Sequence, residues 1–313
     1  MRIGIDLGGT NIASALVDEN GTITKRAYAP TRASEGATTI IDGLIHACEV
    51  LMEDTEQKPL SIGIGVPGAV NDESGMVVFT PNLPLRDIVI TQELHKKYGC
   101  PVNLGNDANC AALGETVAGG AKGARDVVMI TLGTGLGGGI VLGGKLLTGL
   151  GGAASELGHM VIVIGGHECG CGRHGCWETY GSATGLIRTS TEFMDKHKES
   201  LMWKLSAGTP EKLNGRMIFD AYRENDPAAL LAVGKYTEHL ASGIVNIINI
   251  LDPEMICVGG GISDAWDCIS EPLLTRVRQE SFFRFLTKSP QTKIVKALLG
   301  NDAGIIGAAM LGA

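Results

Sequence analysis

Short runs in which apolar residues alternate with small or polar ones open the chain: RIGIDL from Arg2, IASALVD from Ile12 and TITKRAY from Thr22, separated by GGTN and ENG. A period of two puts successive side chains on opposite faces, so these runs predict the three strands of a meander. Over residues 35–56 the period lengthens, and Ile40, Ile41, Leu44, Ile45, Ala47 and Leu51 share one face of a predicted helix. SIGIGVPG (61–68) reads as a buried strand ending in a loop, and Thr91 to Tyr98 as a helix. PVNLGND (101–107) is a strand running into a loop, and Ala108 to Ala118 is a helix.

The opening scheme then restarts. ARDVVMITLGTGLGGGIVLGGKLLTG (124–149) gives strand, GTG turn, strand, GG turn, strand. Helices follow near 179–195, 216–223 and 227–250, then a strand ending in a glycine turn (PEMICVGGGIS, 253–263) and a helix from Asp264 to Phe283. KIVKALL (293–299) is a strand and Asp302 to Leu311 a closing helix. A restarted meander with following helices predicts an internal duplication within an α/β fold.

Composition bounds the function. A chain of 313 residues, 44% hydrophobic, is long enough for two domains. A net charge of −8 and a pI near 5.4 argue against binding free nucleic acid. Asp6 breaks the apolar run that a signal peptide requires, so the chain is expected in the cytoplasm. Val127 to Gly144 is uncharged but interrupted by glycine, which predicts hairpin strands and no membrane span. Eight cysteines in that compartment are expected as reduced thiols.

Three glycine turns each follow an apolar strand: Asp6-Leu7-Gly8-Gly9-Thr10-Asn11, Gly133-Thr134-Gly135 and Gly259-Gly260-Gly261. Backbone amides without a β-carbon can approach phosphate oxygens closely, and the Thr10 and Thr134 hydroxyls add donors. Any one of these alone reads as a tight turn, but two at equivalent points of a repeated meander, with a third at a strand end, point to phosphate binding. Gly139 to Lys145 spells GxxxxGK, yet Leu146 replaces the Ser or Thr of a P-loop and the flanks read as a hairpin, so a P-loop is rejected.

Asn106-Asp107 follows a strand at the place where open α/β sheets bind ligands. Asp107 either caps the helix at Ala108 or accepts the proton of a hydroxyl attacking a γ-phosphate. Asp6 either orients a hydrated magnesium or closes its strand end by a hydrogen bond. His159 with Cys169, Cys171 and Cys176 makes one nitrogen and three thiolates, a set that zinc accepts tetrahedrally at about 2.1–2.3 Å. Four protein ligands close the shell, so such a zinc is structural. His167 and His174 compete for the fourth position.

Together DLGGTN, VPG, LGND, ITLGTGLGGGI, ELGH, CGCGxxGCxE and VGGG resemble the ROK family, named for repressors, open reading frames and kinases. The resemblance runs from about Ile3 to the C-terminus. It implies the actin-like ATPase fold, two ribonuclease-H-like domains around a cleft. The smaller would be 1–118 completed by a helix at 301–313, and the larger 119–300 with a zinc loop at 159–178. It also implies ATP and magnesium in the cleft, phosphorylation of a hexose 6-hydroxyl, and a homo-oligomer, dimer or tetramer. By resemblance Asp107 is the base, while Asn106, Glu156, His159 and Glu178 bond the sugar hydroxyls, with Gly68 and Asn82 nearby. The three glycine turns, from Asp6 to Asn11, Gly133 to Gly135 and Gly259 to Gly261, would contact the nucleotide.

Two departures bear on the sugar. Asn82 is followed by Leu83-Pro84-Leu85 where glucokinase-like members often carry an aromatic, and Ser155 stands where glycine is frequent. GCWETYGSATG (175–185) looks glucokinase-like. The expected activity is therefore a glucose 6-kinase. Kinases for mannose, allose, fructose or N-acetylmannosamine, or a non-catalytic sugar sensor, are the alternatives. A sugar-responsive repressor of the same family is disfavoured by the acidic charge and by having only five residues before Asp6, where repressors carry a helix-turn-helix.

Overall fold

The alternation at the N-terminus decides which layer covers each face of the first sheet. In a computed structural model describing all residues except 54, 56, 287 and 288, the chain begins β1 (Arg2–Leu7), β2 (Asn11–Val17) and β3 (Ile23–Pro30). Then come α1 (Ala37–Met52), β4 (Ile62–Val66), β5 (Ala69–Asn71), β6 (Met76–Phe79), β7 (Arg86–Val89), α2 (Gln92–Tyr98), β8 (Val102–Asn106) and α3 (Asp107–Ala118). The second half is β9 (Val127–Leu132), β10 (Leu136–Leu142), β11 (Lys145–Leu146), α4 (Glu178–Gly181), α5 (Ala183–Lys196), α6 (Leu201–Leu205), α7 (Gly215–Arg223), α8 (Pro227–Leu251), β12 (Met255–Gly259), α9 (Trp266–Glu280), β13 (Lys293–Lys296) and α10 (Asp302–Ala309).

Two five-stranded sheets repeat one plan, β3-β2-β1-β4-β8 and β11-β10-β9-β12-β13. In the first, β1 is antiparallel to β2 and parallel to β4, and β4 is parallel to β8; in the second, β10 and β11 are antiparallel and β12 and β13 parallel. The duplication expected from the restarted meander is thus present in the strand order. The GxxxxGK stretch lies in the β10–β11 hairpin, as its rejection as a P-loop requires.

By contacts the chain divides into a unit of Met1–Met129, Gly138–Ser155 and Ala297–Ala313 and a unit of Ile130–Gly137 and Glu156–Lys296. In the first, Ile3, Ile5 and Leu7 point to one face of β1 and pack in a core with Ile40, Leu44 and Leu51 of α1. The opposite face carries Gly4, paired in register with Gly63 of β4. A β-carbon at these positions would lie 1.9 Å from the Ile305 carbonyl oxygen and 1.7 Å from that of Ala308, so the two glycines form the bare seat on which α10 rests. In the second unit Trp177 is fully buried against Gly243 of α8, and its indole N–H donates to the His239 carbonyl at 3.0 Å.

The helix expected over 35–56 is α1, and two of its expected last residues, 54 and 56, lie outside the described residues. The helix expected near 179–195 is broken at Ser182, whose extended backbone and side chain cap α5 through the Gly185 N–H at 3.1 Å. The antiparallel sheet β5-β6-β7 and the short α6 are absent from the sequence expectation.

Candidate active site

Parallel pairing sets the expected site residues of the first unit. Asp6 is in register with Gly65, and Val66 with Asn106, so the carboxyl ends of β1, β4 and β8 line up. Ligands of open α/β sheets sit beyond such ends. Asn106 is extended and caps α3, its Oδ1 accepting from the Ala108 and Asn109 N–H groups at 2.9 and 3.2 Å, while Nδ2 donates to the Gly68 carbonyl at 3.1 Å. The cap expected of Asp107 therefore belongs to Asn106. Asp107 is the first helical residue, exposed, with Oδ1 accepting from the Ala108 N–H at 2.8 Å. Both lone pairs of the Asn106 oxygen and one N–H are engaged, which leaves one N–H for a ligand oxygen.

Gly68 is held in place by its neighbours. Its φ of +132° is glycine's, and a β-carbon there would lie 2.2 Å from the Phe79 carbonyl oxygen. That approach sets the 68 loop against the start of the 80–85 loop. Buried Thr80 shapes the latter, its hydroxyl donating to the carbonyls of Leu83 (2.7 Å) and Leu85 (3.1 Å). Leu83 and Leu85 anchor in the core and Asn82 is left exposed between fixed points. Leu83 thus occupies core space, away from solvent. Ser155 has a φ of +70°, the left-handed conformation that glycine adopts without cost.

Asp6 and Asp107 are close enough to feel each other. Burial, and secondarily the Asp107 charge, push the Asp6 carboxyl from 3.8 up to about 6. A raised acid binds its proton more tightly when folded, so its contribution to stability is full below 3.8 and is lost as pH rises through about 6. A divalent cation beside Asp6 reverses the preference in favour of the carboxylate. For the MgATP-dependent activity that the family resemblance implies, the expected outcome is an acid limb near pH 6 in kcat/KM for MgATP, absent in Asp6→Asn and shifted downward in Asp107→Asn. A pH–rate profile tests this, and an unchanged limb in Asp6→Asn assigns the titration to another group.

The first glycine turn is tied by Gly8 N–H to the Asn11 carbonyl (3.0 Å) and by the Thr31 hydroxyl to the Gly8 carbonyl (2.6 Å). In the second unit, the Gly133 N–H donates to the Gly135 carbonyl at 3.0 Å, and the turn docks on α5 through the Ala183 N–H and the Thr184 hydroxyl. The third turn lies beside it, because Gly260 is packed directly on the backbone of Leu132. The structure thus brings the second and third expected phosphate turns together. No described atom lies within 4 Å of a β-carbon position at Gly9 or Gly261, so packing alone does not demand glycine there.

His159, Cys169, Cys171 and Cys176 lie together, with Glu178 beside them. Ligand atoms of His159, Cys169, Cys171 and Cys176 all lie within 4.8 Å of one another. The Cys171 and Cys176 sulfurs are 3.6 Å apart, and Cys169 Sγ is 3.7 Å from His159 Nδ1. Tetrahedral ligands at zinc–sulfur distances stand about 3.8 Å apart, so the four fit zinc with Nδ1 as the histidine donor and Nε2 left free. Burial, with the Cys171 and Cys169 thiols adding, pushes the Cys176 thiol up to about 12. A cation is what would make thiolates favourable here.

Glu178 begins α4 two residues beyond Cys176, and the buried Trp177 between them holds it to α8. Its Oε2 accepts from the Leu136 N–H at 3.0 Å, and Oε1 lies 3.8 Å from Cys169 Sγ. A β-carbon at Gly135 would fall 2.4 Å from the same Oε2. The GTG turn, the His/Cys cluster and Glu178 are therefore one packed unit. Glu156 precedes the 3-10 turn at Leu157–His159, and its carbonyl accepts from the His159 N–H at 3.1 Å.

Thr80 is a structural support that no sequence motif marked, and Trp177 and Leu136 stand inside quoted motifs that gave no sign of their packing roles. A meander repeated in two sheets, glycine turns at the strand ends and a carboxylate at a carboxyl edge define the architecture of an actin-like ATPase sugar kinase. The chain belongs to the ROK family, whose sequence model matches residues 2–313. It is 40% identical to a glucokinase of Thermotoga maritima, over 99% of this chain and 96% of that protein, and 38% identical to one of Streptomyces coelicolor, over 99% and 97%. Among solved structures, a ROK family glucokinase from Streptomyces griseus in complex with glucose and AMPPNP is 36% identical, with a TM-score of 0.77, covering 99% of this chain and 98% of that one.

Proposed function

We infer that the chain is an ATP-dependent glucokinase that transfers the γ-phosphoryl group of ATP to the glucose 6-hydroxyl. The observation that carries this is the exposed Asp107 carboxylate at the carboxyl end of β8, in a ROK chain 36–40% identical to glucokinases over nearly its whole length. Asp107 takes the 6-hydroxyl proton, O6 attacks the γ-phosphorus, and the bond to the ADP oxygen breaks. Alignment and charge neutralisation supply most of the catalysis in such transfers.

Around the sugar we place the remaining Asn106 N–H, His159 Nε2 and the free lone pairs of Glu156 and Glu178 as hydroxyl partners, with Asn82 and the Gly68 carbonyl loop shaping the rim. Asp6 and the turn Gly8 to Asn11, with Gly133 to Gly135 and Gly259 to Gly261, are the proposed nucleotide and magnesium contacts. Magnesium bound with ATP neutralises phosphate charge. His159, Cys169, Cys171 and Cys176 would hold a structural zinc, which would fix the loop that carries His159 and Glu178. We further place the enzyme in the cytoplasm, without nucleic-acid or membrane partners, as a homo-oligomer, dimer or tetramer. No helix among the described residues is long and apolar enough to cross a membrane.

A hexose panel separates glucose from its competitors. ADP release with glucose, mannose, allose, fructose and N-acetylmannosamine is expected to give the highest kcat/KM for glucose. Another hexose favoured by tenfold would replace glucose as the substrate, and no turnover with any of them would leave the sugar-sensor reading.

A further inference from the structure

Glu115 sits on the third turn of α3 with no solvent exposure. Its Oε2 accepts from the N–H groups of Gly120 (2.6 Å) and Leu298 (3.1 Å), and its Oε1 from that of Leu299 (2.8 Å). Its own carbonyl accepts from Gly119 and Ala121, each at 3.1 Å. The three donors to the side chain come from two separate connections. Residues 119–126 lead from α3 to β9, and residues 297–301 lead from β13 to α10.

Burying a carboxyl group is costly unless its oxygens are satisfied, and loop N–H groups at a surface could have been left to water. Leu298 is 72% exposed as a residue, yet its N–H is turned inward onto Glu115. The acid therefore joins two separate connections at one node. That node lies eight residues along a helix from Asp107, roughly 12 Å at 1.5 Å per residue. The first residue of that helix is the proposed base, Asp107.

We propose that Glu115 is a positioning residue for phosphoryl transfer, tying both connections to α3 so that Asp107 keeps its alignment. Its activity readout rests on the kinase reading above, whereas the tie itself does not. Amide exchange in the wild-type chain is expected to show Gly120, Leu298 and Leu299 strongly protected. In Glu115→Gln, which keeps the size but replaces one acceptor oxygen by an NH2 facing a donor, protection should fall at least tenfold at one or both connections. A displacement of the order of 1 Å can cost about a hundredfold in rate, so kcat with glucose should fall roughly ten- to a hundredfold, with a smaller change in KM for glucose. Glu115→Asp, with a shorter reach, should fall in kcat as well.

A folded Glu115→Gln with kcat within twofold of wild type would overturn the proposal. So would wild-type amides at Gly120, Leu298 and Leu299 exchanging like those of an open loop, a measurement that needs no variant to fold. Absence of hexose turnover in the wild type with these amides protected would instead remove the kinase reading and leave the tie standing.

Discussion

Asp107→Asn is expected to lower glucose-dependent ADP release by about 10²–10⁴-fold, the range associated with losing a positioned general base. The substitution is nearly isosteric, and the structure shows why the fold should tolerate it. The helix cap is Asn106, not Asp107, and the Asn variant retains an oxygen for the Ala108 N–H that Asp107 now binds at 2.8 Å. The loss should therefore appear in kcat, with the melting temperature and glucose affinity close to wild type. Full turnover in a folded Asp107→Asn would assign the proton to another group. Loss of activity with loss of folding would mean that the side chain serves stability.

Metal removal has the second largest expected effect. Protein purified without chelators is expected to hold one zinc per chain. Stripping it, or making Cys176→Ser, should raise the glucose KM at least tenfold, about 1.4 kcal/mol, and lower the melting temperature at the same time. The coupling follows from packing. Cys176 is fully buried beside Trp177, which is held to α8, and Cys169 lies 3.8 Å from the Glu178 carboxylate that also engages the Leu136 N–H. Disordering the loop thus moves His159 and Glu178 together. Metal analysis and KM on the same preparation test this, and an unchanged KM in zinc-free protein would reduce the cluster to a clip unconnected with the sugar.

What was legible in the sequence has a common physical basis. The meanders of β1–β3 and β9–β11 were visible because alternation and glycine turns are local signals. The His159, Cys169, Cys171 and Cys176 grouping was visible because three of its four residues fall within eight positions. The sheet β5-β6-β7 was not, because its strands are three or four residues long and a register shift between Ala69 and Val70 breaks the period. The assignment of the cap to Asn106 depends on a ψ of 146° that no spacing encodes. Thr80 and Glu115 were also silent, since their partners are backbone groups of loops, in the case of Glu115 up to 184 residues away in sequence. Gly135 carried a phosphate signal, but its contact with Glu178 belongs to tertiary packing.

The most direct test of the central claim is product analysis: wild-type chain with ATP, magnesium and glucose, followed for ADP and for glucose 6-phosphate by a dehydrogenase specific for that ester. The expected result is one glucose 6-phosphate for each ADP, with little ADP formed when glucose is omitted. ADP release without glucose 6-phosphate, or none with glucose present, would contradict it.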